Sequence, residues 1–122
     1  MKRLLLILLA GAALVACATS PTGRKQLMLI SPESAIVESK QAYLSTVGEF
    51  DKQQKLVDDP KMMDRVATIT GRLVSIAIQK YPNSADWEWS VAIVDDPEVV
   101  NAWCMAGGRM AVYTGLFDKL KL

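Results

Sequence analysis

Trp87-Glu88-Trp89-Ser90-Val91-Ala92-Ile93-Val94-Asp95-Asp96-Pro97-Glu98-Val99-Val100-Asn101-Ala102-Trp103-Cys104-Met105-Ala106-Gly107-Gly108-Arg109-Met110-Ala111-Val112-Tyr113-Thr114 is the stretch on which the fold turns. Trp87, Trp89, Val91 and Ile93 alternate with Glu88, Ser90, Ala92 and Val94, the period-two pattern of a strand with one buried face. The two Trp read as core rather than as a ligand-stacking platform. Asp95-Asp96-Pro97-Glu98 reads as a turn, because Asp hydrogen-bonds local backbone and Pro cannot continue a strand. Its paired carboxylates are a formal metal or acid/base candidate, but Asp before Pro between apolar runs is ordinary turn chemistry. Residues 99–105 then read as a second strand, Gly107-Gly108 as a tight reversal and residues 109–114 as a third strand.

Two helices precede this segment. Ser31-Pro32-Glu33 is a helix start, with Ser as N-cap, Pro at the first helical position and Glu in the positive first turn. The spacing predicts a helix with Ile36, Val37, Tyr43, Leu44 and Val47 on one face, ending at Gly48 or soon after. A polar linker follows, whose Lys52-Gln53-Gln54-Lys55 run reads as solvated surface. Asp59-Pro60 opens a second helix whose stripe is Met62, Val66, Ile69, Leu73, Ile76 and Lys80. It lasts under three heptads, so it reads as packing on a sheet or on the first helix rather than as a coiled coil. Tyr81-Pro82-Asn83-Ser84 stops it.

At the other end, Met1-Lys2-Arg3 and the uncharged apolar residues 4–15 form a targeting segment. As a helix its 12 residues span about 18 Å, short of the ~30 Å of a bilayer core. Leu14-Val15-Ala16-Cys17 resembles the bacterial lipobox, which makes Cys17 a lipid-attachment site and residues 1–16 a lipoprotein signal peptide. Ala18 is not the acidic residue that resembles an inner-membrane retention signal, so the expected destination is the outer membrane, facing the periplasm. Residues 17–30, with a polar run holding Pro21 and Gly23, read as a tether. Within it Leu27-Met28-Leu29-Ile30 fits a strand or a docking segment. With Cys17 acylated, Cys104 is the one remaining thiol; its apolar setting predicts a small buried hydrophobe, not a nucleophile.

Composition excludes whole classes of chemistry. The chain of 122 residues has no His, so no Ser-His-Asp triad, Cys-His pair or H-E-x-x-H helix can form within it. Lys and Arg number 14 against 13 Asp and Glu, and loss of Lys2 and Arg3 with the signal leaves the body nearly neutral. Nucleic acid is therefore an unsuitable partner.

Residues 101–116, from Asn101-Ala102-Trp103 through Gly107-Gly108 and Val112 to Gly115-Leu116, resemble the Asn-Ala-Phe-x-x-Pro-Gly-Gly-x-x-x-Val-x-x-Gly-Leu segment of the HtpX-like zinc metallopeptidases. That family includes the CaaX prenyl proteases, the mitochondrial Oma-type peptidases and bacterial LoiP-like lipoproteins. The two preceding helices and the Trp-x-Trp strand ending in Val94-Asp95-Asp96 are similar too, and the lipobox fits the lipoprotein branch. Ala106 departs from the pattern, where the family commonly has Pro. The resemblance implies a zinc metalloendopeptidase acting on peptides or unfolded envelope proteins. The family's active-site helix, with two His ligands and a Glu that activates water, follows such a segment and has no counterpart in this chain, so no catalytic or metal residue carries over. What does carry over is the hairpin from Asn101 to Thr114, which resembles the family's sheet edge beside the zinc, where extended substrate would lie by β-addition, with Gly107, Gly108, Arg109, Met110 and Ala111 as the substrate-strand residues. The plainer reading of the two glycines is a simple hairpin.

The expectation is thus an α+β chain: two amphipathic helices, then a three-stranded antiparallel meander, over residues 31–122. It reads as the N-terminal part of a lipid-anchored periplasmic zinc metalloendopeptidase, itself binding no zinc and cleaving nothing. A non-catalytic periplasmic lipoprotein serving as a small binding module is the alternative.

Overall fold

The computed structural model describes residues 1–7, 17–19, 25–27 and 29–121, which fall into two compact units, Met1–Ser31 and Pro32–Leu122. In the first, residues 2–7 are helical, and β1 (Cys17–Thr19) pairs antiparallel with β2 (Lys25–Leu27). Within the stretch read as a tether, residues 17–19 and 25–27 are thus paired strands. Leu14, Val15 and Ala16 of the lipobox, with most of the apolar run, lie outside the described residues. Among the described residues no helix is long and apolar enough to cross a membrane.

The second unit is α+β. Helix α1 (Pro32–Lys52) starts at the expected Pro, runs through Gly48 and closes with Gln54 in the left-handed region (φ 56°). There the Lys55 N–H reaches back to the Phe50 carbonyl at 2.9 Å. Its inward residues are Tyr43, which is buried, with half-buried Ile36, Val47 and Phe50. Val37 and Leu44, expected on that face, are 59% and 58% exposed. Tyr43 sets the helix rotation: its hydroxyl donates to the Met110 carbonyl at 2.9 Å and its ring meets Trp103 edge-on at 5.9 Å. At 3.6 residues per turn, positions 37 and 44 then stand roughly 100–120° around the helix.

Helix α2 (Pro60–Lys80) begins as its sequence indicates, Asp59 accepting a hydrogen bond from the Lys61 N–H at 3.3 Å. Its stripe divides. Val66 is buried and Met62 packs beside it, whereas Ile69, Leu73 and Ile76 are exposed. A 3₁₀ turn (Pro82–Asp86) follows.

The sheet is mixed, not an antiparallel meander: its order is β3 (Ser90–Val94), β5 (Arg109–Tyr113), β4 (Ala102–Met105). β3 and β5 run parallel, with Ala92 opposite Ala111; β4 and β5 are antiparallel, with Trp103 opposite Ala111. The cause lies in residues 95–101, which do not fold back beside β3 but cross the C-terminal end of β5. Asp96 anchors the crossing, its N–H donating to Thr114 Oγ1 at 2.9 Å and its carbonyl accepting from the Gly115 N–H at 3.2 Å. Asn101 completes it by accepting from the Tyr113 N–H at 3.1 Å.

β3 also starts later than its alternation implies, at Ser90 rather than Trp87. Trp89 is drawn out of the pleat, its Nε1 donating to the Ser84 carbonyl at 2.9 Å, and Trp87 packs on Tyr81 and Trp89. Helix α3 (Thr114–Leu120) leaves β5 directly and places Phe117 in a core with Val66 and Ile93. Each such side chain contributes about 1.5–3 kcal/mol by burial. The unit thus has three layers, with α1 on the Trp103, Ala111 and Tyr113 face of the sheet, and α2 with α3 on the Ile93 and Val112 face.

Candidate functional site

Gly107 and Gly108 close the hairpin between β4 and β5 with φ of +90° and +85°, a region that disfavours side chains. Gly108 is also covered: a Cβ there would stand 2.5 Å from the Trp89 ring. Arg109, Met110 and Ala111 lie on the central strand, whose edges are both paired. The expected substrate position along 107–111 is corrected accordingly, since a peptide cannot add to a strand without a free edge.

Among the described residues no strand lies beside the outer edge of β4. Asn101 and Met105 turn their carbonyls inward, to the N–H groups of Tyr113 and Gly108. The alternation of an antiparallel ladder then directs the backbone groups of Ala102 and Cys104 outward. Asn101 Oδ1 occupies the first of these positions, accepting from the Ala102 N–H at 2.8 Å. On the opposite border of the sheet, residues 55–57 cover the end of β3 through the Leu56–Val94 bridge and the Val57 N–H to Ile93 carbonyl bond.

Beside β4 lies an apolar groove of about 370 Å³. Ile69 and Leu73 of α2 form one wall, Met110 and Val112 the floor, and Cys104 and Leu116 the remaining sides. It exists because α2 covers the β3 half of this face and leaves the β4 half open. Cys104 is exposed at this groove, not buried as its apolar neighbours suggested, because it faces the opening from an edge strand. Desolvation nevertheless pushes its thiol above the usual range, and Sγ lies 3.4 Å from the Met105 carbonyl, so it is not an activated nucleophile.

Arg109 is buried and pairs with Glu88, which Lys40 also approaches at 3.4 Å. The hydrogen bond from Arg109, and after it that from Lys40, holds the Glu88 carboxyl below the usual carboxylate range. The Arg109–Glu88 pair does not stand out from sequence; the edge lies within the 101–114 hairpin expected there, and the Asn101-to-Met105 run carries a further signal in lacking any charged residue.

The donor set does not fit zinc. The sequence has no His, the described residues contain no group of three or more His, Cys, Asp or Glu side chains, and Cys104 favours its protonated form. Asp95 and Asp96 serve the crossing, Asp96 through its backbone and Asp95 Oδ1 by accepting from Thr114 Oγ1 at 3.3 Å. The side chain of Cys17, the expected lipid site, is outside the described residues. Comparison with protein-family models, curated proteins and solved structures returned no match.

Proposed function

We propose that this chain supplies the substrate-binding sheet of a lipid-anchored zinc metalloendopeptidase of the bacterial envelope, held at the outer membrane through Cys17 and acting on peptides or unfolded envelope proteins. The observation that carries this reading is the free β4 edge lying against an apolar face in the same 101–116 segment that resembles the HtpX-like peptidases. An extended peptide adding to β4 gains main-chain hydrogen bonds whatever its sequence, which suits a protease of broad specificity. The motif's glycines have physical work consistent with this: Gly107 and Gly108 close the hairpin, and Gly115 admits the crossing chain. Met110, Val112 and Leu116 offer a further helix a surface on which to pack.

Zinc and its His ligands are assigned to residues outside these 122, and no hydrolytic step is assigned to this chain. The test compares residues 18–122 with a chain extended through the downstream codons, by elemental analysis and casein cleavage. The extended chain is expected to hold stoichiometric zinc and to cleave in a chelator-sensitive way, the short one to do neither. Equal behaviour of the two, inert or active, sinks the proposal, and inert chains that still bind peptide favour the binding-module alternative.

A further inference from the structure

Arg109 stands at the start of the central strand with its side chain only 5% exposed. A guanidinium keeps its proton at any working pH, so this charge stays in the interior. Its carboxylate partner is Glu88, whose side chain is 67% exposed, and Arg109 Nη1 is buried with no hydrogen-bond partner among the described residues. A permanent interior charge thus depends on a group that water can protonate. The elements around the pair bring no substitute. Helix α1 presents Lys40, a second cation; Ser90 of β3 and Met105 of β4, the residues opposite Arg109, carry no charge. Lys40 and Arg109 are the two charges whose influence reaches Glu88.

We propose that Glu88 and Arg109 form an acid-sensitive clasp, which holds residues 87–90 over the Gly107-Gly108 turn and opens when Glu88 is protonated. Neutralising Glu88 leaves the buried Arg109 guanidinium with no ion-pair partner among the described residues, and an uncompensated interior charge is costly. Lys40 and Arg109 then face each other as like charges with no anion between them. The contact at stake is local: Trp89 sits on Gly108, and the Ser90 N–H donates to the Gly108 carbonyl at 3.2 Å. Releasing Glu88 frees the segment that covers the turn at the end of the open edge strand. The folded carboxyl titrates below its unfolded value, so the clasp is fully closed above the ordinary glutamate range and is lost as pH falls through the lower, folded value.

The test is hydrogen exchange of the full chain at a series of pH values from 7 to 2.5, corrected for intrinsic rates, beside tryptophan emission from pH 8 to 2.5. Residues 84–90 and 107–109 are expected to lose protection first, while residues 91–94 and 110–113 keep theirs. Glu88→Gln is expected to show the open pattern already at pH 7 and no emission step in the acid range. Lys40→Met is expected to keep the step and move it to higher pH. Uniform loss of protection in the wild-type chain, or a Glu88→Gln chain that titrates like wild type, overturns the clasp.

Discussion

The carbonyl oxygen of Val99 lies 2.4 Å from where a Cβ on Gly115 would stand, and that of Pro97 lies 2.6 Å from it. This close approach lets residues 95–101 pass over the end of β5 and deliver β4 to its far side. A methyl group at position 115 would collide with both carbonyls of the crossing chain. Backbone atoms cannot move aside as a flexible side chain can, so Gly115→Ala should destabilise the unit by more than the ~1–3 kcal/mol typical of overpacking. Urea unfolding of the two chains measures it, and equal midpoints would show that the crossing tolerates a side chain.

A second pair of glycines separates conformation from space. Gly108→Ala meets the Trp89 ring and a φ of +85°, and should be strongly destabilising. Gly71→Ala, inside α2 with nothing within 4 Å, should instead stabilise by about 0.5–1 kcal/mol through helix propensity. Thermal unfolding of both variants is the check; a Gly108→Ala chain as stable as wild type contradicts the geometry.

The divided stripe of α2 gives a contrast in the same assay. Phe117→Ala removes a buried ring and should cost about 3–5 kcal/mol. Leu73→Lys alters a side chain already 67% exposed and should change stability by no more than about 0.5 kcal/mol. It should also lower binding of a hydrophobic dye, since Leu73 lines the groove. Unchanged dye binding would mean that the groove is not the exposed apolar surface.

Much of this architecture is legible in the sequence, for reasons of local chemistry. Asp59-Pro60 and Ser31-Pro32 mark helix starts because caps and Pro act within one turn, and both helices begin there. The alternation at residues 90–94 announces a strand, but alternation reports faces and says nothing of which neighbour is paired. The parallel partner of β3 is therefore invisible in sequence, as is the demotion of the 107–111 segment from edge to centre. Trp89 follows the strand period yet leaves the strand, because its indole N–H finds the Ser84 carbonyl. Gly115 is one residue of the 101–116 segment, but the reason for it, the backbone carbonyls of Pro97 and Val99, emerges only in three dimensions.

Cys104 is accessible yet its thiol is held above the usual range by partial desolvation. In a Cys17→Ser chain, iodoacetamide should label it slowly at pH 7, with a rate that climbs through the alkaline range beyond that of a free thiol. Rapid labelling at neutral pH would contradict the assignment and reopen a nucleophilic role.

Lipidation of Cys17 would fix where the chain works. Mass spectrometry of the mature N-terminus is expected to find diacylglycerol on Cys17 after loss of residues 1–16. An unmodified Cys17, or cleavage elsewhere, removes the envelope anchor from the proposal.

The central claim, that this sheet serves a zinc peptidase, meets its most direct test in the nucleotide sequence immediately following the Leu122 codon. An open reading frame encoding H-E-x-x-H within a short interval, with a Glu codon further on, is the expected result. A stop codon, or a frame with no such motif, would contradict the account and leave the open β4 edge as the surface of a binding module.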